Sequence, residues 1–151
     1  MPIHNSFPQP IPESAAAWLA NQGFLLPIEI SPPQSLVRLL AARSAEPPSA
    51  VSGFALVDTG ASHCCVEEKV LRQLQLQPVR RINVCSPNGS RLQFVYLARL
   101  SFPGAPIPPV ELRVIGVQLD QGETLGLIGR DFLRHCLVVY NGPLGGCTLS
   151  F

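Results

Sequence analysis

Charge is scarce in this sequence. Only 14% of its 151 residues are Asp, Glu, Lys or Arg, against roughly 25% in an ordinary soluble domain. The formal net charge is +1, so no field is strong enough to suggest a nucleic-acid partner or an anionic membrane. So small a charge on a chain of this size implies that part of its surface is covered by a partner or a second copy. Long hydrophobic runs are lacking too, and nothing approaches the length needed to span a bilayer. The start, Met1-Pro2-Ile3-His4-Asn5-Ser6-Phe7-Pro8, has neither the basic opening nor the apolar core of a signal peptide. Five cysteines are an odd number, which without a secretory signal reads as free thiols in a reducing compartment. The expected address is cytoplasmic. His63-Cys64-Cys65 invites a metal reading, but adjacent strand residues face opposite ways and no second pair has finger-like spacing. No metal and no cofactor are expected. A Cys–His nucleophile built from Cys64 or Cys136 with His135 has no local signature, and Ser62 lacks the glycine-flanked elbow of a serine hydrolase.

Proline and glycine, by contrast, are plentiful: 16 and 12 residues respectively, enough to call for many turns and few long helices. Residues 1–12 read as an extended or disordered lead-in, and Glu13 to Ala20 as a short helix stopped by Asn21 and Gly23. Residues 1–23 are thus set apart from a main domain over 24–151, to which Trp18 would anchor them. Strands are expected over 24–30, 51–58, 81–85, 92–102, 110–117 and 125–128, with a last pair over 135–140 and 147–151. Short helices are expected over 35–43 and 130–134. The apolar spacing of Val66, Val70, Leu71 and Leu74 predicts another over 66–76. Ser86-Pro87-Asn88-Gly89-Ser90 joins two alternating runs, and Asn-Gly in that setting is a strong hairpin signal. Short strands with one to three helices define a mainly β, barrel-like domain.

Two stretches carry the chemistry. In Phe54-Ala55-Leu56-Val57-Asp58-Thr59-Gly60-Ala61-Ser62 an apolar run delivers a lone carboxylate to a turn. Read alone, this is an Asx-type turn in which Asp58 bonds nearby backbone N–H groups. The second stretch is Leu125-Gly126-Leu127-Ile128-Gly129-Arg130-Asp131-Phe132-Leu133. The chain holds only three Asp, of which Asp120 lies in a polar loop and Asp131 at a helix start, where the helix dipole favours a carboxylate.

Leu56 to Ser62, followed after the hairpin by Leu127 to Asp131, resembles the retropepsin-like aspartic proteases over roughly residues 24–151. The resemblance implies a closed β-barrel and a homodimer in which Asp58 of each copy faces the other. Two such carboxylates share one proton; the ionised one activates a water and the protonated one supports the oxyanion. Thr59 would exchange hydrogen bonds across the two-fold axis, Gly60 would permit close backbone approach, and Ala61 would stand where pepsin-like enzymes carry a hydroxyl. Its lack of a hydroxyl predicts a mildly acidic optimum. Ser86, Pro87, Asn88, Gly89 and Ser90 match the flap, and Ile128, Gly129, Arg130 and Asp131 match the glycine motif behind the active-site loop. Two features depart from the retroviral pattern. Ser62 replaces the acidic partner of Arg130, leaving Glu67 or Glu68 as substitutes. The tail Cys147 to Phe151 looks like the interleaving C-terminal strand, while the N-terminal segment has no matching counterpart. Three functions follow: an endopeptidase acting on extended polypeptide, a dimeric peptide-binding module on the same fold, or a structural dimer in which Asp58 only shapes a turn.

Overall fold

In a computed structural model of the chain, residues 3–6, 14–86, 89–119 and 122–151 are described. Strict alternation creates the first long strand. β2 (Leu25–Ser31) buries Leu26, Ile28 and Ile30 and turns the residues between them outward. It lies antiparallel to β3 (Val51–Val57), with Leu25 opposite Leu56 and Ile30 opposite Val51. β5 (Pro78–Ser86) and β6 (Gly89–Ser101) form the expected hairpin; β5 is longer than expected at both ends, and β6 starts three residues earlier and ends one earlier. Pro87 and Asn88, between the two strands, lie outside the described residues. β6 continues into the body of the sheet, where Tyr96, Ala98 and Leu100 are buried.

With β4 (Cys65–Glu67), β7 (Val110–Val117) and β8 (Thr124–Ile128), the sheet runs β2-β3-β8-β4-β7-β6-β5. Ile30 of β2 also pairs with Leu100 of β6. This second edge closes six strands into a ring and leaves β5 outside it. Closure explains the unbroken core of Leu26, Ile28, Ile30, Leu71, Leu100, Val114 and Ile128, all almost wholly inaccessible. Truncating any of these leucines or isoleucines to Ala costs about 2–5 kcal/mol.

The four helices among the described residues are short. α1 (Ala15–Gln22) is capped by Ser14, whose Oγ accepts from the N–H of Ala17 at 3.2 Å. It ends at Gly23, φ +74°. Trp18 packs half-buried against the core. α2 (Gln34–Ala42) buries none of its residues. α3 (Glu68–Gln73) starts two residues later than the helical spacing predicted. Val66 belongs to β4, where it pairs with Gly116 and Gly126 and is buried between two strands. Sheet pairing overrides the helical period there, while Val70 and Leu71 keep it. α4 (Arg130–Leu133) follows β8 directly.

A second, three-stranded sheet is made by β1 (Ile3–Ser6), β9 (Leu137–Asn141) and β10 (Gly146–Ser150) in the order β1-β10-β9. The N-terminal strand, in a stretch where no strand was expected, pairs antiparallel with the C-terminal one, Ile3 opposite Ser150. Both edges of β10 are therefore occupied within its own chain. Among the described residues no helix is long and apolar enough to cross a membrane.

Candidate active site

β3 and β8 run parallel and side by side, Val57 level with Ile128. Two loops thus leave the sheet at the same point: residues 58–64 after β3, and residues 129–131 leading into α4. Asp58 is the first residue beyond β3, half-buried, and its N–H donates to the Ile128 carbonyl at 3.0 Å. Its Oδ1 accepts from the Gly60 N–H at 2.8 Å, and its carbonyl from the Ala61 N–H at 3.2 Å. The Asx turn expected from the motif is therefore present. Its effect is to hold the carboxylate in one orientation. Gly60 leaves the carboxylate its place, since a Cβ there would lie 3.0 Å from Asp58 Oδ1 and press on it.

The loops are then cross-bonded. The Arg130 N–H donates to the Ala61 carbonyl at 2.9 Å and the Asp131 N–H to that of Ser62 at 3.2 Å. Arg130 Nη1 donates to the carbonyls of Thr59, at 2.7 Å, and Gly60, at 2.8 Å, while Nη2 donates to Ser62 Oγ at 2.9 Å. The planar fork of guanidinium donors suits this multiple capture. Ser62 thus supplies a neutral acceptor in place of an acid. Glu67 and Glu68 do not substitute. Glu67 accepts from the Leu119 N–H, and Glu68 forms an ion pair with Arg72 at 3.0 Å.

Asp131 does more than begin a helix. Its carboxylate accepts from the Cys64 N–H through both oxygens, at 2.9 and 3.1 Å, from the Cys64 thiol at 3.0 Å, and from the Phe132 N–H at 2.9 Å. Cys64 Sγ in turn accepts from the Gly129 N–H at 3.3 Å. Burial raises the Cys64 thiol well above its ordinary range, and the hydrogen bond to Asp131 and its charge push the same way. Gly129 passes so close behind the loop that a Cβ would lie 2.5 Å from the carbonyl carbon and oxygen of His63. Cys64 as the joint of this arrangement was not found from the sequence. Its only signal was a small, apolar-tolerant residue six positions beyond Asp58.

Thr59 and Gly60 are exposed, Ala61 is half-buried, and Ile128 and Gly129 are buried. Of the expected flap, Ser86 ends β5, and Gly89 and Ser90 begin β6 in exposed positions; Gly89 has φ +111°. The structure brings Asp58, Thr59, Gly60, Ala61, Ile128, Gly129, Arg130 and Asp131 into one cluster at the ends of β3 and β8. The Asp131 carboxylate is committed to Cys64 and Phe132 behind the loop.

Residues 51–135 match the family described as "gag-polyprotein putative aspartyl protease". The match spans more than half of the chain and covers both loops, and the chain belongs to that family, the retropepsin-like aspartic proteases. The solution structure of the simian foamy virus (mac) protease is similar, with 20% sequence identity and a TM-score of 0.46 over 74% of this chain and 92% of that one. No curated protein matches.

Proposed function

We propose that the chain is a homodimeric aspartic endopeptidase in which Asp58 of two copies forms the reacting pair. The observation that carries this reading is the pre-set carboxylate. Asp58 leaves a barrel strand into a loop held by Gly60 and clamped by the three donations from Arg130. Such bracing suits a group that must meet its reacting partner within a narrow geometry.

Two carboxylates at close range share one proton. The ionised member removes a proton from a water that attacks the peptide carbonyl. The other donates to the developing oxyanion and then helps the amine leave. The proton belongs to the pair as a unit. The second Asp58 comes from a second copy, by a two-fold axis passing between the loops, where Thr59 would link them. Because β10 is flanked by β1 and β9, a second copy joins without adding to its edges. The β5–β6 hairpin serves as the flap, closing over extended polypeptide.

The test is digestion of a complex peptide pool by the wild type and by Asp58→Asn, read by mass spectrometry from acidic to neutral pH. Cleavage by the wild type alone is expected. Equal cleavage by both assigns the activity to another group. No cleavage from a folded dimer would favour a peptide-binding module. Ala61 gives the carboxylate no hydroxyl donor, so the pH–rate profile should peak in the mildly acidic range; a strongly acidic maximum would contradict that role.

A further inference from the structure

Positive charge is concentrated in one part of this chain. From Lys69 to Val110 there are Lys69, Arg72, Arg80, Arg81, Arg91 and Arg99, and no acidic residue at all. Arg72 is paired with Glu68. Arg80, Arg81 and Arg91 stand exposed on the β5–β6 hairpin and have no acidic partner among the described residues. Arg81 lies over the ring of Phe94, its cross-strand neighbour, with the guanidinium carbon 5.6 Å from the centroid.

Apolar surface is exposed beside these charges. Val79 is 56%, Leu92 58% and Phe94 39% exposed. Pro78, Val79, Arg80, Arg81 and Phe94 wall a shallow groove of about 230 Å³. Among the described residues β5 is the last strand of its sheet and pairs only with β6, so no described strand covers its outer edge. Arg80 and Arg81, being adjacent on a strand, point to opposite faces of it. Charge and an initial proline on an edge strand also guard against self-association. That role is met by either sign of charge and gives no reason for Val79, Leu92 and Phe94 to be exposed alongside.

We propose that the outer edge of β5 is a docking strip for an extended polypeptide carrying two adjacent acidic residues flanked by apolar ones. Added as a strand, such a segment would take main-chain hydrogen bonds from β5. Its two acidic side chains, on opposite faces, would meet Arg80 and Arg81, and the flanking residues would rest on Val79 and Ile82. A polypeptide fits better than a nucleic acid, because the strip offers an open backbone edge and aliphatic surface rather than a run of stacking rings. The inference does not depend on whether Asp58 cuts.

The experiment is fluorescence anisotropy on the Asp58→Asn chain with a ten-residue fluorescein-labelled peptide, its central Glu-Glu flanked by Val and Thr. Saturable binding is expected. It should weaken about tenfold when the peptide's Glu pair becomes Gln-Gln, and again about tenfold for the Arg80→Gln/Arg81→Gln double variant, in line with a few rim charge contacts. Raising the salt should also weaken it. Equal binding of the Gln-Gln peptide, binding indifferent to the two arginines, or no binding would overturn the proposal. So would tighter binding of a ten-residue oligo-dT. A dimer that the double variant dissociates would also overturn it, by showing that a second copy covers the strip.

Discussion

The thiol of Cys64 donates to Asp131 Oδ1 across 3.0 Å, deep behind the loop that presents Asp58. The same carboxylate takes the Cys64 and Phe132 backbone N–H groups, so one side chain ties the Asp58 loop to the start of α4. Hydrogen bonds to a charged acceptor contribute about 1.5–3 kcal/mol each, and removing the acceptor strands its donors. Asp131→Ala should therefore lower stability by about 2–4 kcal/mol, read from the urea midpoint. Asp131→Asn, which keeps an acceptor oxygen, should lose less. Equal losses would mean that one neutral amide oxygen cannot replace the carboxylate, whose charge and second oxygen then carry the contribution; no loss in either variant would mean that these hydrogen bonds contribute little.

Burial is the main cause of raised thiol values in this chain. Cys65 and Cys136 are each pushed from about 9 up to about 11, and Cys64 is raised further. A folded-state value above the unfolded one means that the folded chain holds more protons between the two. The contribution to stability is fully present below about 9 and is lost as pH rises from there through about 11. The urea midpoint should thus fall between pH 8.5 and 11, with a shallower fall in Cys136→Ser. A flat midpoint across that range would contradict these environments.

Much of this architecture could be read from the chain because its signals are local. β7 was expected and found over Val110–Val117, and β8 differs from expectation by one residue at its start. Alternation, and the prolines that punctuate it, are properties of neighbouring residues. What escaped depends on residues far apart. Val66 is a strand residue because β7 and β8 flank it. Ile3–Ser6 is a strand because the C-terminal strand lies alongside. The Asp58 loop was legible as a turn, and Gly129 as a close approach. That Arg130 satisfies itself on the backbone carbonyls of Thr59 and Gly60 could not be read, since carbonyls carry no sequence signature.

Exposure separates the five thiols. Cys85, on the hairpin strand β5, is exposed; Cys64 and Cys147 are buried, and Cys65 and Cys136 half-buried. A disulfide-exchange reagent near neutral pH should titrate one thiol quickly, Cys65 and Cys136 more slowly, and Cys64 and Cys147 only as the chain unfolds. Replacing Cys85 with Ser should abolish the fast phase. Fast reaction of Cys64, located by mass spectrometry, would mean that the loop behind Asp58 opens readily.

Close backbone approach makes another pair of variants informative. At Gly129 a Cβ would sit 2.5 Å from His63 backbone atoms, whereas at Gly142 the nearest atom is Tyr140 Cε1 at 3.7 Å. Backbone cannot withdraw as a flexible side-chain end can, so Gly129→Ala should cost about 3 kcal/mol or more, at the upper end of point-mutant effects. Gly142→Ala should remain within about 0.5 kcal/mol of the parent. Thermal unfolding of the two, side by side, measures the difference. Similar melting temperatures would show that the loops separate without cost.

Arg130 and Gly60 test the geometry of the carboxylate itself. Lys at 130 keeps the charge but has no planar fork, so it cannot reproduce the donations to Thr59, Gly60 and Ser62 together. Ala at 60 crowds Asp58 Oδ1 without touching the core. Both variants should remain folded, losing about 1–2 kcal/mol or less, because the affected groups are exposed. Peptide cleavage, by contrast, should fall by about 100-fold, since small displacements of a reacting group are costly in rate. The decisive comparison is the ratio of lost activity to lost stability. If activity falls only in proportion to the unfolded fraction, the bracing of Asp58 serves the fold alone. If it falls far more, the loop is braced for chemistry.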